Sequence, residues 1–430
     1  MSILRHKMKG AGPEERLVLA VYLRRFDGVG AVRLRVADLA ACLGVSPGVI
    51  MRSMSKLSAN DAYLSVKTVP VSRGRPSRSY EVSPLFRARL SEVTKVSLPP
   101  VCMQVVEHLL SVPKRGAELG SGGSTGKSVG YRQPPVRKES DQLTIANRWL
   151  LAVLVSHASE LGVVQGLGLS ALRQLTGMSE LRLKAQLQRL VELGVIRSYV
   201  RGISSALFTE TKVSTTYFLN LNHSCLGQRE DGCAVVVIQE KGEGRRLAVN
   251  VTALPVVEQY FRQLKDEAFD VFLWRLDGYA SFLLSTRWRE LGRPGSAELT
   301  QALQNMISAD FRRPVGRSAD ALDIDERSWS RIIEHFCWLA LERAKDIRKL
   351  LARMPAGDLD GVRIQLIPAP CKGSGTQVTR VTTLLMERSP VPRYGCLVIK
   401  YHPWKVCRLY RDEAELSVPA RCRFGLQARP

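Results

Sequence analysis

Between Pro13 and Ser83 the apolar positions change period several times. The segment "PEERLVLAVYLRRF" opens on Pro13 and sets Leu17, Tyr22 and Leu23 near helical spacing, which predicts a first helix. The run "VRLRV", from Val32 to Val36, predicts a short strand. Val36, Leu39, Ala40 and Leu43 then form the inner face of a short helix that stops at Gly44. Val45, Ser46 and Pro47 make a turn, with Ser46 at the N-cap and Pro47 at the first helical position. The next helix turns Ile50, Met54 and Leu57 inward and Arg52, Ser55, Lys56 and Ala59 outward. Two strands follow, one with Val66, Val69 and Val71 and one with Tyr80 and Val82. Between them lies a tip of Arg73, Gly74, Arg75, Pro76, Ser77 and Arg78.

A second block over 141–222 repeats this order. "DQLTIANRWLLAVLVSHASELG" predicts a long helix, and "LSALRQLTG" a short one with Leu169, Leu172 and Leu175 inward and Gly177 as its stop. "MSELRLKAQLQRLVELGVIRSYV" sets Leu183, Leu187 and Leu190 inward and ends at Gly194; a hairpin is expected over the residues that follow. With Leu183 laid on Ile50, Arg189 falls on Lys56 and Ala185 on Arg52. The segment between the blocks is rich in Gly, Ser, Pro and charge and predicts a flexible basic linker. Beyond Cys225, "DGCAVVVIQEKGEGRRLAVNV" suggests a hairpin about Gly242 and Gly244. Helices are expected from Pro255 to Leu291, over "AELTQALQNMISADF", and over about 26 residues of "RSWSRIIEHFCWLALERAKDIRKLLARM". In the last of these Ile332, Phe336, Leu339 and Ala340 point inward. "GVRIQLIPAP" and "YGCLVIKYHPW" read as strands.

Charge narrows the function. The formal net charge is +23, and residues 1–90 alone hold sixteen Arg and Lys against six Asp and Glu, a net +10. A polyanionic partner is implied, with nucleic acid the first candidate and an anionic membrane the competitor. The most apolar stretch, "WLLAVLV" (Trp149 to Val155), is too short to span a bilayer. The first residues lack the apolar core of a signal peptide, so a cytoplasmic, nucleoid-associated protein without a membrane partner is expected.

The order helix, helix, turn, helix and basic hairpin over residues 13–83 resembles the winged helix-turn-helix DNA-binding proteins. "RGRP" at the hairpin tip resembles the core of an AT-hook. "LQRLVELGVI" resembles the end of a recognition helix in the MarR and GntR groups of winged-helix regulators. The implied fold class is α+β and mainly helical: two winged-helix domains (1–90 and 141–223) joined by the linker 91–140, then a helical domain (224–355) and a small β-containing region (356–430). The resemblance implies a DNA interface of Ser46, Arg52, Ser55, Lys56, Arg73, Arg75 and Arg78, extended in the second block by Arg182, Gln186, Arg189 and Arg201. Here the second recognition helix would enter the major groove or serve dimerisation, and the Arg-rich wing would track the minor groove. A sequence-specific double-stranded-DNA-binding protein, a transcriptional regulator, is the first expectation. Tandem winged helices also resemble plasmid and mobile-element replication initiators. A protein-interaction scaffold is the third reading. A homodimer and a protein partner for the C-terminal half are open expectations.

Catalytic motifs carry less. "GSTGKS" ends as a phosphate-binding loop ends, with Gly126, Lys127 and Ser128, but Ser121 stands where its first glycine belongs. No apolar strand precedes it, and Gly130, Pro134 and Pro135 oppose the helix that must follow. A hinge is therefore expected, not an ATP site. Nine cysteines show no CxxC spacing, which predicts reduced thiols. His223, Cys225 and Cys233 lack a fourth zinc ligand, and Glu334, His335 and Cys337 are too close in sequence to face one another on a helix. The acidic run with Asp320, Asp323, Asp325 and Glu326 lacks the calcium-loop pattern. No enzyme, cofactor or metal is expected.

Overall fold

Leu17 to Val21 is a run of five apolar residues that leaves a helix no polar side, and all five are buried. The helix that holds them, α1 (Pro13–Phe26), is covered all round along this run, and its last turn reaches water at Arg24 and Arg25. A second such helix is α6 (Ile145–Ser156), in which Trp149 to Val155 are each 0% exposed. The computed structural model explains both: α1 and α6 pack on each other. It describes the chain except residues 1, 34, 70–76, 94–95, 112–142, 228–231, 243–254, 263, 294–296, 315–323, 354–358, 369–377, 392, 401–405 and 429–430. Burying one Leu or Val fully is worth about 1.5–3 kcal/mol, so neither helix could leave these faces in water.

Two compact units result. Met1–Ser156, Leu169–Gln188 and Ser224–Gly227 form the first; His157–Gly168, Arg189–His223 and Gln228–Pro430 form the second. In the first, α2 (Val36–Leu43) ends at Gly44, whose φ of +62° is the left-handed cap that glycine allows. After the turn comes α3 (Pro47–Leu57), with Ile50, Ser53, Met54 and Leu57 buried. Ser46 holds the N-cap position, but its hydroxyl makes no capping bond; its carbonyl accepts from the amides of Val49 and Ile50. β1 (Leu64–Val69) and β2 (Ser77–Val82) pair antiparallel from Leu64 opposite Val82 to Val69 opposite Ser77. Among the described residues of the expected strand "VRLRV", Val32 alone pairs, bridging Tyr80, while Val36 already begins α2. α4 (Pro84–Glu92) and α5 (Pro100–Leu109) follow. The expected linker of 91–140 is thus corrected over 100–109, where Cys102, Val105, Val106 and Leu109 are buried and α5 packs on α6. The glycine-rich "GSTGKS" lies outside the described residues.

Two buried arginines tie the first unit together. Arg16 of α1 donates to the carbonyls of Gln174 at 2.8 Å and Leu175 at 2.6 Å, in the last turn of α7 (Leu169–Thr176). It also donates to Ala11 at 2.8 Å and to Met8. A cation on unpaired C-terminal carbonyls suits the helix dipole. Burial lowers the Arg16 pKa to about 10. Gly177 lets the two segments meet: at its φ of +70°, a Cβ would stand 2.1 Å from the Ala11 carbonyl oxygen. Arg148 of α6 does the same for α5, donating to Leu109 at 3.1 and 2.7 Å and to Ser111 at 2.8 Å. Both arginines begin the pattern R-x-x-L-A-V, at 16–21 and 148–153. The two blocks are therefore repeats, and their helical parts share one unit instead of hanging from a tether.

The second repeat continues with α8 (Glu180–Glu192) and a sheet of β3 (Val163–Val164), β7 (Thr216–Leu219) and β4 (Ile196–Val200), in the order β3-β7-β4. The first repeat has the same order, with Val32 bridging β2 and β2 pairing β1. β5 (Ile203–Ser204) and β6 (Lys212–Val213) extend the second hairpin. The second unit also holds β8 (Ala234–Gly242), α9 (Pro255–Arg262), α10 (Asp266–Thr286), α11 (Ala297–Asp310) and α12 (Glu326–Leu351). It closes with β9 (Ile364–Ile367), β10 (Val378–Met386), β11 (Cys396–Lys400), β12 (Val406–Tyr410) and α13 (Val418–Arg423). Its five strands run β12-β11-β8-β10-β9, with β8 and β11 parallel and the other pairs antiparallel. β8 takes its partners from far along the chain, the second half of the hairpin expected about Gly242 and Gly244 lies outside the described residues, and the expected boundary at 355/356 falls inside one unit. Strand alternation sends Ala234, Val236, Ile238, Leu397 and Ile399 to the face that packs on the helices. Val235, Val237, Cys396 and Val398 go to the other face, against Leu416 and Phe424. Burial on both faces makes these strands nearly all apolar. The chain is a mixed α/β protein with thirteen α-helices among the described residues. None of the described helices is long and apolar enough to cross a membrane.

Candidate nucleic-acid interface

α3 exposes the side its sequence pattern predicts. Arg52, Ser55, Lys56 and Ala59 are exposed, as are Ser46 before the helix and Met51, which is 62% exposed. Arg52, Ser55 and Lys56 line a cleft of about 900 Å³ in the first unit, together with Arg182 and Gln186 of α8 and Thr144 before α6. Five of the expected interface residues, from two repeats, thus share one concave surface. Two carboxylates from the first turn of α1, Glu14 and Glu15, complete it.

The carboxylates settle the local electrostatics. Glu15, buried, accepts the Gly12 amide at 2.8 Å and pairs with Lys56 Nζ at 3.1 Å. Glu14 accepts from both Nη atoms of Arg182, one of them at 3.4 Å. Burial pushes the Glu14 pKa up, but the Arg182 hydrogen bond and the charges of Arg182 and Lys56 outweigh it and hold the carboxyl below its ordinary range. Arg52 forms no ion pair among the described residues. It is the cation this cleft leaves available.

The remaining expected residues are placed elsewhere. Arg78 is exposed on β2, beside exposed Lys67 and Thr68 of β1; Arg73 and Arg75 lie outside the described residues. Arg189 and Arg201 are exposed in the second unit and are not among the residues lining the cleft. Arg189 lies 3.8 Å from the carboxylate of Glu192.

The second hairpin is tied down. Phe208 in its tip is 1% exposed and packs on Phe311 with ring centroids 5.4 Å apart. The amide of Thr209 donates to the Asp310 carbonyl at 3.0 Å, and the amide of Arg312 donates to the Leu207 carbonyl at 2.9 Å. Arg197, on β4 of this hairpin, is 0% exposed; its Nη2 reaches both Glu413 carboxylate oxygens at 3.0 Å. Its Nη1 donates to the Leu219 carbonyl at 3.0 Å.

The other candidate chemistries stay apart. His223 Nε2 lies 2.9 Å from the Leu193 carbonyl oxygen, and the Cys233 backbone is bound by the Asn222 side chain. Burial raises the Cys337 pKa to about 11, with Glu334 adding to the shift, which opposes a thiolate nucleophile there. Among the described residues no group of three or more His, Cys, Asp or Glu could hold a metal ion. Asp325 caps α12, accepting from the amides of Arg327 and Ser328.

Sequence reasoning missed Glu14, Glu15, Met51 and Thr144. Glu14 and Glu15 read as first-turn acids that suit the helix dipole, which they are. Their second task depends on α8 reaching α1, which no local pattern announces. No family model, characterised protein or solved structure is similar to this chain.

Proposed function

We propose that the chain is a sequence-specific double-stranded-DNA-binding protein with two winged-helix repeats, and that the first repeat is the reader. The carrying observation is the outer side of α3: Arg52, Ser55 and Lys56 are exposed after a tight turn, and Arg52 has no carboxylate partner among the described residues. A guanidinium there can bond bidentately to guanine in the major groove, while Ser55 and Lys56 reach base edges or phosphates. The basic hairpin continues the surface through Lys67 and Arg78. Its arginine tip, Arg73 to Arg78, would enter the adjacent minor groove. Transcriptional regulation is the role this reading favours.

A second observation supports an initiator of plasmid or mobile-element replication as the alternative. Arg52 and Arg182 line one cleft, so the two repeats present their helices together. That suits one composite site better than two separated operator halves.

The test is binding to duplex pools as a function of salt. Selection should yield a defined site, and Arg52→Ala should relax its preference by about 1–3 kcal/mol at one base position. Equal affinity for all duplexes, or none for any, would refute the reading.

A further inference from the structure

The face of the five-stranded sheet that carries Val398 is closed at one end by α13 and left open at the other by the described residues. Strand register builds the open end. Lys400 stands opposite Gln239 of β8 on one side and Val406 of β12 on the other, and Val398 stands opposite Arg408. Lys400 and Arg408 are therefore diagonal neighbours on one face, about 7–8 Å apart at their Cα atoms. Arg423, at the end of α13, joins them around a groove of about 320 Å³.

Three cations converge here, and among the described residues no carboxylate lines the groove. Lys400, Arg408 and Arg423 are exposed and form no ion pair among the described residues. Elsewhere several cations are answered by carboxylates, as Lys56, Arg182, Arg275 and Arg343 are. Uncompensated like charges repel across a groove with apolar walls, and an anion relieves that repulsion. Two guanidiniums and an ammonium offer the forked and point donors that suit phosphate oxygens. The floor is of another kind: Phe424 is buried, and Tyr410 is half-buried on the same face as Arg408. Cations at the rim above an aromatic and aliphatic floor match a ligand with a charged end and a flat apolar body.

We infer that this groove binds a nucleoside phosphate, its phosphate held by Arg408, Arg423 and Lys400 and its base laid on the Tyr410 side of the floor. The site lies in the second unit and does not depend on the DNA-reading role of α3.

The experiment is equilibrium dialysis of the full chain with adenosine 5′-monophosphate, with adenosine and inorganic phosphate as controls. The nucleotide should bind, phosphate should displace it, and adenosine should bind far more weakly. Arg408→Gln and Arg423→Gln should each weaken nucleotide binding about tenfold. Both side chains are exposed, so an unchanged unfolding midpoint will show that the fold is intact. A short thymidine oligonucleotide without a terminal phosphate distinguishes the source of the phosphate. If it displaces the nucleotide, the groove takes a strand's backbone phosphate; if only its 5′-phosphorylated form does, the groove takes a terminal one. No nucleotide binding, adenosine binding as tightly as the nucleotide, or affinity unchanged in the double variant would overturn the inference.

Discussion

In the first repeat, the helix after the turn offers water Arg52, which forms no ion pair among the described residues, and the hairpin behind it shows Arg78 beside Lys67, which meets Glu81 at 3.7 Å. In the second, the corresponding helix gives Arg182 to Glu14, and the hairpin buries Phe208 against Phe311. Arg197, in that hairpin's first strand, is shut away on Glu413. The strand order is the same in both, β2 or β7 in the middle. The difference shows how one topology serves two ends: a surface that keeps Arg52 exposed without an ion pair among the described residues can read a polyanion, and one that has turned its arginines onto carboxylates holds the protein together.

The largest test of that contrast is the buried pair. Glu413→Ala strands the Arg197 guanidinium without its partner and should cost about 3–5 kcal/mol. Replacing both residues with apolar ones, Arg197→Met with Glu413→Leu, should recover most of that loss. Urea unfolding reads both. If Glu413→Ala unfolds as easily as the parent, Arg197 is not structural and the second hairpin must be reconsidered as a surface. Phe208→Ala is the companion experiment, at about 3–5 kcal/mol for a buried aromatic. The corresponding cation of the first hairpin offers no such loss: Arg78→Ala, at an exposed position of β2, should change stability by less than about 0.5 kcal/mol.

Next in size is the tie between the repeats. Arg16→Met keeps the volume of the side chain but leaves the carbonyls of Gln174 and Leu175 without their donor. Each buried acceptor left unmade costs about 1–3 kcal/mol. Proteolysis after Arg16→Met should cut within the α7–α8 region first. Uniform cleavage along the chain would mean that Arg16 is not what joins α1 to α7.

Much of this was legible in the residues. The i, i+4, i+7 spacing of Ile50, Met54 and Leu57 gave the buried side of α3, and the exposed side followed. The 26-residue α12 was equally plain. What failed had physical causes. The runs Leu17–Val21 and Trp149–Val155 have no polar side; that absence signals helices covered all round, and hence repeats packed together instead of tethered. The strand β10, "VTRVTTLLM", was missed: its Val and Thr suit a strand, but no simple alternation marks a face, because both faces are covered; Thr383 is 0% exposed and donates to the Phe424 carbonyl at 2.6 Å. β-branched residues suit a buried strand when the hydroxyl finds an acceptor. β8 could not be paired by sequence, because its partners start 136 residues beyond its own end, at Val378. The cleft was half legible: its cations come from local patterns, and its carboxylates from a tertiary contact.

On the DNA side the two repeats should separate by specificity. Arg52→Ala is expected to lower the ratio of specific to non-specific affinity about 5- to 150-fold, the equivalent of about 1–3 kcal/mol. Arg201→Ala, in the second hairpin, should leave that ratio within about twofold and change the salt slope by less than about 1. Equal effects from the two would erase the distinction between reader and scaffold. The comparison is best made at fixed salt, because the electrostatic share of binding moves with it.

The smallest expected effect tests the carboxylates that mute α8. Glu14→Gln removes the charge that holds Arg182 but keeps the shape. Freed, Arg182 should add one phosphate contact, steepening the log-affinity against log-salt slope by about 1. Acid should do reversibly what the substitution does permanently. The folded-state pKa of Glu14 lies below its ordinary value, so its stabilising pairing is fully present above the ordinary carboxylate pKa and is lost as pH falls through the lowered one. At neutral pH the carboxylate therefore stays charged, and a change in DNA affinity between pH 6 and 8, about two units around neutrality, would have to come from another group. An isotherm of Glu14→Gln that overlays the parent at every salt concentration would show that Arg182 already reaches DNA past its carboxylate. The second repeat would then be a reader as well, and the contrast between the two would rest on their hairpins alone.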